Sequence, residues 1–255
     1  MITSRQNSII KLFRNQNSDE WFVVEGEKLI TEALNAGFTL QHLLLTDKCK
    51  LELKLLGELK LPWTVITKDL AEYISDTKTP QGMFAMFERK VSHFDFNKLA
   101  SADSRVMVLD GVRDPGNVGA IVRSCEAFQF NCVLLSDDSA DLFNPKVIRA
   151  SAGSVFRLPS IRDELNVLIP KLKQSGFIVY ASALDEKAIS LSEFNKADHT
   201  TTGSVAIVIG SEGQGVSENI LALCDHKLYI PIKGAESLNA SVAAGIICYE
   251  MANII

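Results

Sequence analysis

Short, almost wholly apolar runs alternate with helical patterns in the C-terminal part of the chain. The apolar runs have the length of strands, and they are Arg105–Leu109, Cys132–Leu135, Phe177–Ala181, Val205–Ile209 and Leu228–Ile230. Helical spacing covers Asn117–Phe128 and Lys146–Ala152 between them. Strands without a polar face are typical of a parallel sheet that helices cover on both sides. The pattern therefore predicts an α/β domain built on a parallel sheet.

The N-terminal part carries a second, smaller α/β pattern. A helical stretch at Glu27–Ala36 follows the apolar run Trp21–Val24 and ends before a glycine. Further strands are predicted at Leu43–Leu45 and Thr64–Ile66, and a last one at Ala85–Phe87 after the turn sequence TPQG. These elements predict a small separate domain.

A polar, mixed-charge stretch separates the two patterns near residues 88–104. We interpret it as the boundary between two units. The predicted organisation is a small α/β domain over 1–92, a linker over 93–103, and a parallel-sheet domain over 104–255.

Composition and charge limit the classes of protein to consider. Hydrophobic residues make up 47% of the 255 positions, which is typical of a globular protein. The formal charge is 26 − 31 = −5, so a nucleic acid would have to bind at a local basic patch. No apolar run approaches the ~18–20 residues that cross a bilayer. We expect no secretory signal, because the first residues contain neither a long apolar stretch nor a small-residue cleavage site. We expect a soluble, cytoplasmic protein without membrane contact.

The loop and helix that follow the first strand, residues 110–128, place two polar side chains in a glycine-rich setting. Asn117 lies at the expected helix start and Arg123 follows six residues later. At ~100° per residue, their side chains lie about 120° apart around the helix. One interpretation is a functional pair. The other is a surface arginine that forms a salt bridge with an acidic side chain such as Asp110 or Glu126.

A second loop, GSEGQGVS at 210–217, follows the strand Val205–Ile209. It matches neither the dinucleotide fingerprint nor the Walker A sequence. Its glycines permit close approach of a nucleotide-like ligand, or they simply make turns. Glu212 is a candidate site residue, or a carboxylate favoured by a helix N-terminus. Ser217 is expected to cap the helix that begins after it.

The third polar loop opens the C-terminal helix. Ser237, Asn239 and Ser241 cluster where bare backbone N–H groups attract polar groups, and one of them is expected to act as the N-cap. The helix that follows is apolar nearly all round, so we expect it to be buried in the core or between subunits. It is a candidate dimer interface.

The usual metal and hydrolase signatures are absent from the sequence. The histidines are scattered outside these loops, at His42, His93, His199 and His226. The five cysteines include no C-x-x-C pair, so neither a disulfide framework nor a zinc site is predicted. We therefore expect no metal hydrolase, no Ser-His-Asp hydrolase and no bound metal.

Together the three loops resemble the SpoU (TrmH-like) family of RNA ribose 2′-O-methyltransferases in the SPOUT superfamily. The segments that carry the resemblance are DPGNVGAIVRSCEAF (114–128), IVIGSEGQGVS (207–217) and LYIPIKGAESLNASVAAGIICYE (228–250), with RASAGSVFRLP (149–159) between them. The N-terminal segments SRQNSIIK (4–11), FVVEGEKLI (22–30) and TPQGMFAMF (79–87) are similar to the family's substrate-binding domain. The family usually has glycine where Gln129 stands and valine where Ala240 stands.

The resemblance implies a fold, a cofactor and partners. In the family, the C-terminal part of the parallel-sheet domain forms a deep trefoil knot that binds S-adenosylmethionine (AdoMet), and the enzyme is a homodimer. The implied substrate is a structured RNA, with 23S ribosomal RNA expected first and tRNA second. The alternatives are a non-catalytic RNA-binding or ribosome-assembly protein on the same fold, and a small-molecule transferase.

The resemblance also assigns roles to individual residues. The implied catalytic set is Arg123, Asn117, Glu212, Ser237 and Asn239, and the implied cofactor contacts are Gly210, Ile230 and Leu238. The arginine would either take the ribose proton or stabilise the developing charge on the sugar oxygen. Local positive charges expected to hold the RNA are Arg113, Arg123, Lys146, Arg149 and Arg157, with Arg5 and Lys11 on the other domain.

Overall fold

The computed structural model of the protein describes residues 1–16, 18–51, 62–89, 95–99, 104–185, 187–194 and 203–252. Its N-terminal part contains α1 (Ser8–Asn15), β1 (Trp21–Glu25), α2 (Glu27–Asn35), β2 (Leu40–Thr46), β3 (Trp63–Ile66), α3 (Lys68–Ile74) and β4 (Met83–Glu88). Within the described ranges the strands of this part form one mixed sheet in the order β1-β4-β2-β3.

The C-terminal part follows the alternation that the sequence predicts. Its elements are α4 (Phe96–Leu99), β5 (Arg105–Asp110), α5 (Pro115–Ala127), β6 (Cys132–Leu135), α6 (Pro145–Ala150), β7 (Ser160–Arg162), α7 (Leu165–Gln174), β8 (Ile178–Ser182), β9 (Ile189–Ser190), α8 (Leu191–Phe194), β10 (Val205–Gly210), α9 (Glu218–Leu221), β11 (His226–Tyr229) and α10 (Ala240–Ala252). In the described chain these strands pair in parallel in the order β7-β6-β5-β10-β8-β11-β9. The predicted α/β fold with a parallel sheet is confirmed.

Both faces of the parallel sheet are buried, which explains why its strands carry no polar alternation. In β5, Met107 and Leu109 enter one hydrophobic cluster while Val106 and Val108 enter another. The same division continues through β6 and β10. Burial on both faces places polar side chains at the ends of the strands rather than along them.

The two parts share a hydrophobic core. Phe22 of β1 stacks on Phe143, with 4.3 Å between ring centroids and 19° between ring planes. Phe38 meets Phe143 and Phe156 edge-on at 5.8 and 5.6 Å. Aromatic pairs of this geometry add stabilisation beyond their buried area. The small sheet therefore packs directly on the larger part of the chain.

Some predicted boundaries differ from the structure. β11 ends at Tyr229, so Ile230 lies in the loop rather than in the strand. Residues 93, 94 and 100–103 of the predicted linker lie outside the described residues, and between them Phe96 and Leu99 of the short helix α4 pack against a core cluster.

The C-terminal helix α10 is buried on one side only. Ala244, Ile247 and Cys248 are fully buried, whereas 49% of Val242 and 54% of Tyr249 remain exposed. The core of the single chain therefore covers only one face of this helix, and burial of the other face between subunits stays a prediction. None of the helices in the described ranges combines the length and apolar character that crossing a bilayer requires.

Candidate active site

The three polar loops predicted from the sequence meet at one edge of the parallel sheet. Strand β10 lies between β5 and β8, and β11 follows β8. Asp110 at the end of β5 pairs in register with Gly210 at the end of β10. Because the strands are parallel, the loops that leave their carboxyl ends share this edge.

One amide side chain links the three loops. Asn117 donates a hydrogen bond from Nδ2 to Glu212 Oε1, and its Oδ1 accepts one from Asn239 Nδ2 at 3.1 Å. An amide has distinct donor and acceptor ends, so the carboxylate fixes its orientation. The structure thus brings together three of the residues predicted for the site, Asn117, Glu212 and Asn239.

Asn117 is held by the start of α5. Asp114 occupies the N-cap position, and its Oδ1 accepts the Asn117 backbone N–H at 3.0 Å while Pro115 begins the helix. Lys146 lies 3.2 Å from the other carboxylate oxygen. The Asn117 N–H bond and then Lys146 hold the pKa of Asp114 below its ordinary value. This cap stays charged and fixes where α5 begins.

Asn239 belongs both to the site and to a helix cap. Its Oδ1 accepts backbone N–H groups of Ser241 at 2.9 Å and Val242 at 3.4 Å, at the start of α10. Its Nδ2 remains available for Asn117. The prediction that one of the three polar residues caps this helix is confirmed.

The glycine loop after β10 folds back on itself. Ser211 and Gly215 exchange two backbone hydrogen bonds of 3.1 and 2.9 Å. A Cβ built on Gly210 would overlap the backbone of Gly215 and Val216. Glycine at 210 is therefore required for this close return of the chain.

A cavity of about 300 Å³ opens beside this loop. It includes five residues predicted for the site, namely Gly210, Glu212, Ile230, Ser237 and Leu238. Asn117, Asn239 and Arg123 do not line it. Ser182, Ala183 and Leu184 after β8 form a wall that the sequence did not indicate.

Comparison with known proteins identifies the family. The model of the SpoU rRNA Methylase family matches residues 104–249. The chain belongs to this family. The model of the MRM3-like substrate binding domain matches residues 11–85.

Similar proteins extend over nearly the whole chain. The 23S rRNA (guanosine(2553)-2'-O)-methyltransferase RlmP of Bacillus subtilis (strain 168) is 35% identical over 231 residues, which cover 90% of this chain and 88% of that protein. The crystal structure of an AdoMet-bound rRNA methyltransferase from Sinorhizobium meliloti has a TM-score of 0.86 at 25% identity, over 99% of this chain and 97% of that one.

The SpoU methyltransferase AviRb from Streptomyces viridochromogenes, solved in complex with AdoMet, has a TM-score of 0.83 at 25% identity. That match covers 97% of this chain and 98% of AviRb. These likenesses confirm the family predicted from the sequence motifs.

In this SpoU-family chain, Arg123 lies apart from the cavity on the exposed side of α5. Its expected salt-bridge partners are engaged elsewhere, since Asp110 accepts hydrogen bonds from Ser217 and Glu126 accepts them from Arg157. Among the residues that the structure describes, none forms an ion pair with Arg123. Within the described ranges, the structure therefore does not contain the surface salt bridge that was the alternative interpretation of Arg123.

Some of the basic side chains expected to bind RNA form ion pairs within this SpoU-family chain. Arg157 binds both Glu126 and Glu32, and so connects the larger part of the chain to α2. Arg113 forms a 2.9 Å pair with Asp138. Of the predicted basic residues in this part, Arg123 and Arg149 are exposed without an ion pair to any described residue.

No cluster of three or more His, Cys, Asp or Glu side chains in the described ranges is arranged to hold a metal ion. The five cysteines are free thiols.

Proposed function

We propose that this chain transfers a methyl group from AdoMet to the ribose 2′-hydroxyl of a structured RNA, 23S ribosomal RNA first and tRNA second. The observation that carries the proposal is the hydrogen-bonded series Glu212–Asn117–Asn239 beside a ligand-sized cavity, in a chain of the SpoU rRNA methylase family. The name of the B. subtilis relative supports the choice of 23S RNA. Ribosomal RNA as substrate supports action in the cytoplasm.

The cavity fits AdoMet in size and chemistry. Its apolar wall includes Ile209, Ile230 and Leu238, suited to a flat base, and Ser182 and Ser237 provide polar contacts. Gly210 lines the cavity at the point where the loop returns tightly on itself. We assign the cofactor contacts to Gly210, Ile230 and Leu238. Bound AdoMet supplies an electrophilic methyl group on a sulfonium.

The polar residues at the cavity mouth orient the sugar. Asn117 uses both ends of its amide on Glu212 and Asn239, so it fixes these two side chains. Glu212 and Ser237 line the cavity and are exposed, so they are the groups that reach the ribose. Holding the reacting oxygen in one place removes much of the entropic barrier to an in-line displacement.

We assign to Arg123 the stabilisation of the negative charge that develops on the sugar oxygen. A guanidinium presents a delocalised positive charge and several N–H donors, so it stabilises an oxyanion and binds an adjacent phosphate. Six residues of helix place Arg123 roughly 9 Å beyond Asn117 along the axis of α5. An RNA strand that follows α5 would reach both residues.

We further propose the deep trefoil knot of the SPOUT superfamily. Support comes from the path of the C-terminal segment. In the sheet, β8 lies between β10 and β11. After β11 the chain passes back across β8, so that α10 contacts both β10 and α5. This return crosses the carboxyl ends of the intervening strands, where threading through a loop would produce the knot.

We propose a homodimer through the outer face of α10. Val242 and Tyr249 expose large apolar groups there, on a helix whose other face is core. The face adjoins the proposed site, because Asn239 caps the same helix. We also retain residues 1–92 as the RNA substrate-binding domain, 93–103 as the linker and 104–255 as the methyltransferase domain. The two family matches, at 11–85 and 104–249, support this division.

The role of Arg123 is tested by substitution. We expect Arg123→Ala to bind AdoMet as wild type in calorimetry but to lose at least 100-fold in methyl transfer, of the order known for one oxyanion-stabilising donor. The assay uses tritiated AdoMet and RNA from cells that lack the enzyme. The control is Arg149→Ala, which removes another exposed arginine expected to contact RNA; it should retain AdoMet binding and lose far less transfer than Arg123→Ala. Undiminished transfer by Arg123→Ala would overturn the assignment.

A further inference from the structure

A second carboxylate lies beside the proposed cofactor cavity without lining it. Asp110 is the last residue of β5 and is partly buried. Its Oδ2 accepts the backbone N–H of Ser217 at 2.7 Å and the Ser217 hydroxyl at 2.8 Å. Hydrogen bonds to an ionised carboxylate are about twice as strong as neutral ones.

These two bonds hold the far end of the glycine loop. Its near end is fixed because Gly210 is paired with Asp110 in the sheet. The Ser211–Gly215 pair closes the loop between them. Residues 210–217 are therefore fixed to the end of β5 at both ends.

The loop fixed in this way carries Glu212. Glu212, Gly213 and Gly215 line the cavity, and Glu212 accepts the hydrogen bond from Asn117. The loops after β5 and β10 thus meet twice, through Ser217–Asp110 and through Asn117–Glu212. Loss of the Ser217–Asp110 contact would release one end of the glycine loop. The Asn117–Glu212 contact depends on that loop, because the loop carries Glu212.

We propose that Asp110 is a positioning residue of the AdoMet site, which acts through Ser217 to hold the glycine loop against the cavity. The inference rests on the proposed function. Ser217 stands at the N-cap of α9, yet its hydroxyl makes no capping bond and donates to Asp110 instead. Because Asp110 does not line the cavity, its effect on the cofactor passes through the loop.

The test compares variants by AdoMet calorimetry and by hydrogen exchange of the protein alone. We expect Asp110→Ala to raise the Kd for AdoMet about tenfold and to speed amide exchange in the peptide that covers 210–221. Asp110→Asn keeps an acceptor oxygen, so it should restore the Kd to within about threefold of wild type. Ser217→Ala removes only the hydroxyl bond and should raise the Kd about threefold, and it serves if Asp110→Ala does not fold.

Asp225 provides a matched control at the opposite, amino ends of the strands. It accepts the Val179 N–H at 2.9 Å and pairs with Lys173 at 2.7 Å. We expect Asp225→Ala to lower the Tm while leaving the AdoMet Kd and exchange in the glycine loop unchanged. A parallel loss of AdoMet binding in this control would show a general effect of stability and overturn the inference.

Two other results would contradict the role of Asp110. One is wild-type AdoMet affinity and loop exchange in both Asp110→Ala and Ser217→Ala. The other is weak AdoMet binding by Asp110→Asn or Asp110→Ala with amide exchange in the glycine loop at the wild-type rate, because affinity would then be lost without release of the loop. If wild-type protein does not bind AdoMet, the proposed function fails, whereas exchange in the protein alone still tests the Asp110–Ser217 contact.

Discussion

Gln129 holds the backbone conformation that ends helix α5, with a φ of 59°. Its N–H donates to Glu126 O at 3.1 Å, and the next N–H donates to Cys125 O at 2.8 Å. This pair of bonds is the Schellman motif, whose left-handed position usually carries glycine. Gly176 fills the equivalent position after α7, with a φ of 90°. The left-handed conformation is therefore strained at Gln129, which has a side chain, and unstrained at Gly176, which has none.

Substitutions at the two helix ends should change the stability of the protein in opposite directions. Gln129→Gly should stabilise the protein by about 0.5–1 kcal/mol, since relief of left-handed strain exceeds the added chain entropy. Gly176→Gln should destabilise it by a similar amount, because no atom lies within 4 Å of the added Cβ and only the φ penalty applies. Thermal unfolding measures both as Tm shifts of roughly 1–4 °C. Shifts of the same sign would contradict this explanation.

Residue types at the strand ends were readable from the sequence, but their contacts were not. Asn117, Glu212 and Asn239 could be grouped because parallel strands bring their carboxyl ends together. Ser217 could not be paired with Asp110, which is 107 positions away. The local pattern at Ser217 favours a helix cap, and a tertiary hydrogen bond replaces that cap.

At the scale of elements, the glycine loop and the three neighbouring strands form the cavity. The loop was visible in the sequence as three glycines after an apolar strand. The wall made by Ser182 and Leu184 was not, because sequence does not reveal that β8 lies between β10 and β11. Order within a parallel sheet follows from crossover connections, which leave no local pattern.

Substitution of Gly210 tests whether the glycine loop must return closely on the end of β10. Gly210→Ala should displace residues 215 and 216, because its Cβ would overlap their backbone, and should weaken AdoMet binding at least tenfold. Gly203→Ala, before the same strand, adds a Cβ with no atom within 4 Å and should bind AdoMet as wild type. Calorimetry with AdoMet measures both. Equal affinities would show that the loop does not need its close return.

In the whole molecule, the N-terminal and C-terminal parts of the chain pack together through aromatic rings and an ion pair that one arginine forms with two glutamates. The rings come from distant positions, and sequence patterning did not bring them together. Arg157 binds Glu126 in the larger part and Glu32 in α2. It was expected to hold RNA, which stays a prediction, and the structure shows that it connects the two parts of the chain.

This connection predicts a pH-dependent stability. The hydrogen bond from Arg157 is the main cause that holds the pKa of Glu126 below its ordinary value of 4.5. Such a carboxyl stabilises the folded state above its unfolded pKa, and the contribution is lost as pH falls through the lower folded pKa. Arg157→Met should therefore cost about 1 kcal/mol at pH 7. The gap from wild type should shrink below pH ~4.5.

Thermal unfolding across pH 3.5–7 measures this gap. Arg149→Met removes an exposed arginine that has no ion pair to a described residue, so its smaller effect should not vary with pH in this range. An Arg157→Met gap that stays constant to the lowest pH would exclude Glu126 as the titrating partner.

Methyl transfer to a ribose hydroxyl of RNA can be recognised by where the label is attached. A 2′-O-methyl group blocks the hydroxyl that attacks the adjacent phosphate, so RNA labelled from tritiated AdoMet should yield a radioactive, alkali-resistant dinucleotide. We predict one such dinucleotide from 23S RNA with the wild-type protein, and none with Glu212→Ala or Asn117→Ala. Label confined to alkali-labile mononucleotides, or no label in RNA at all, would contradict the account.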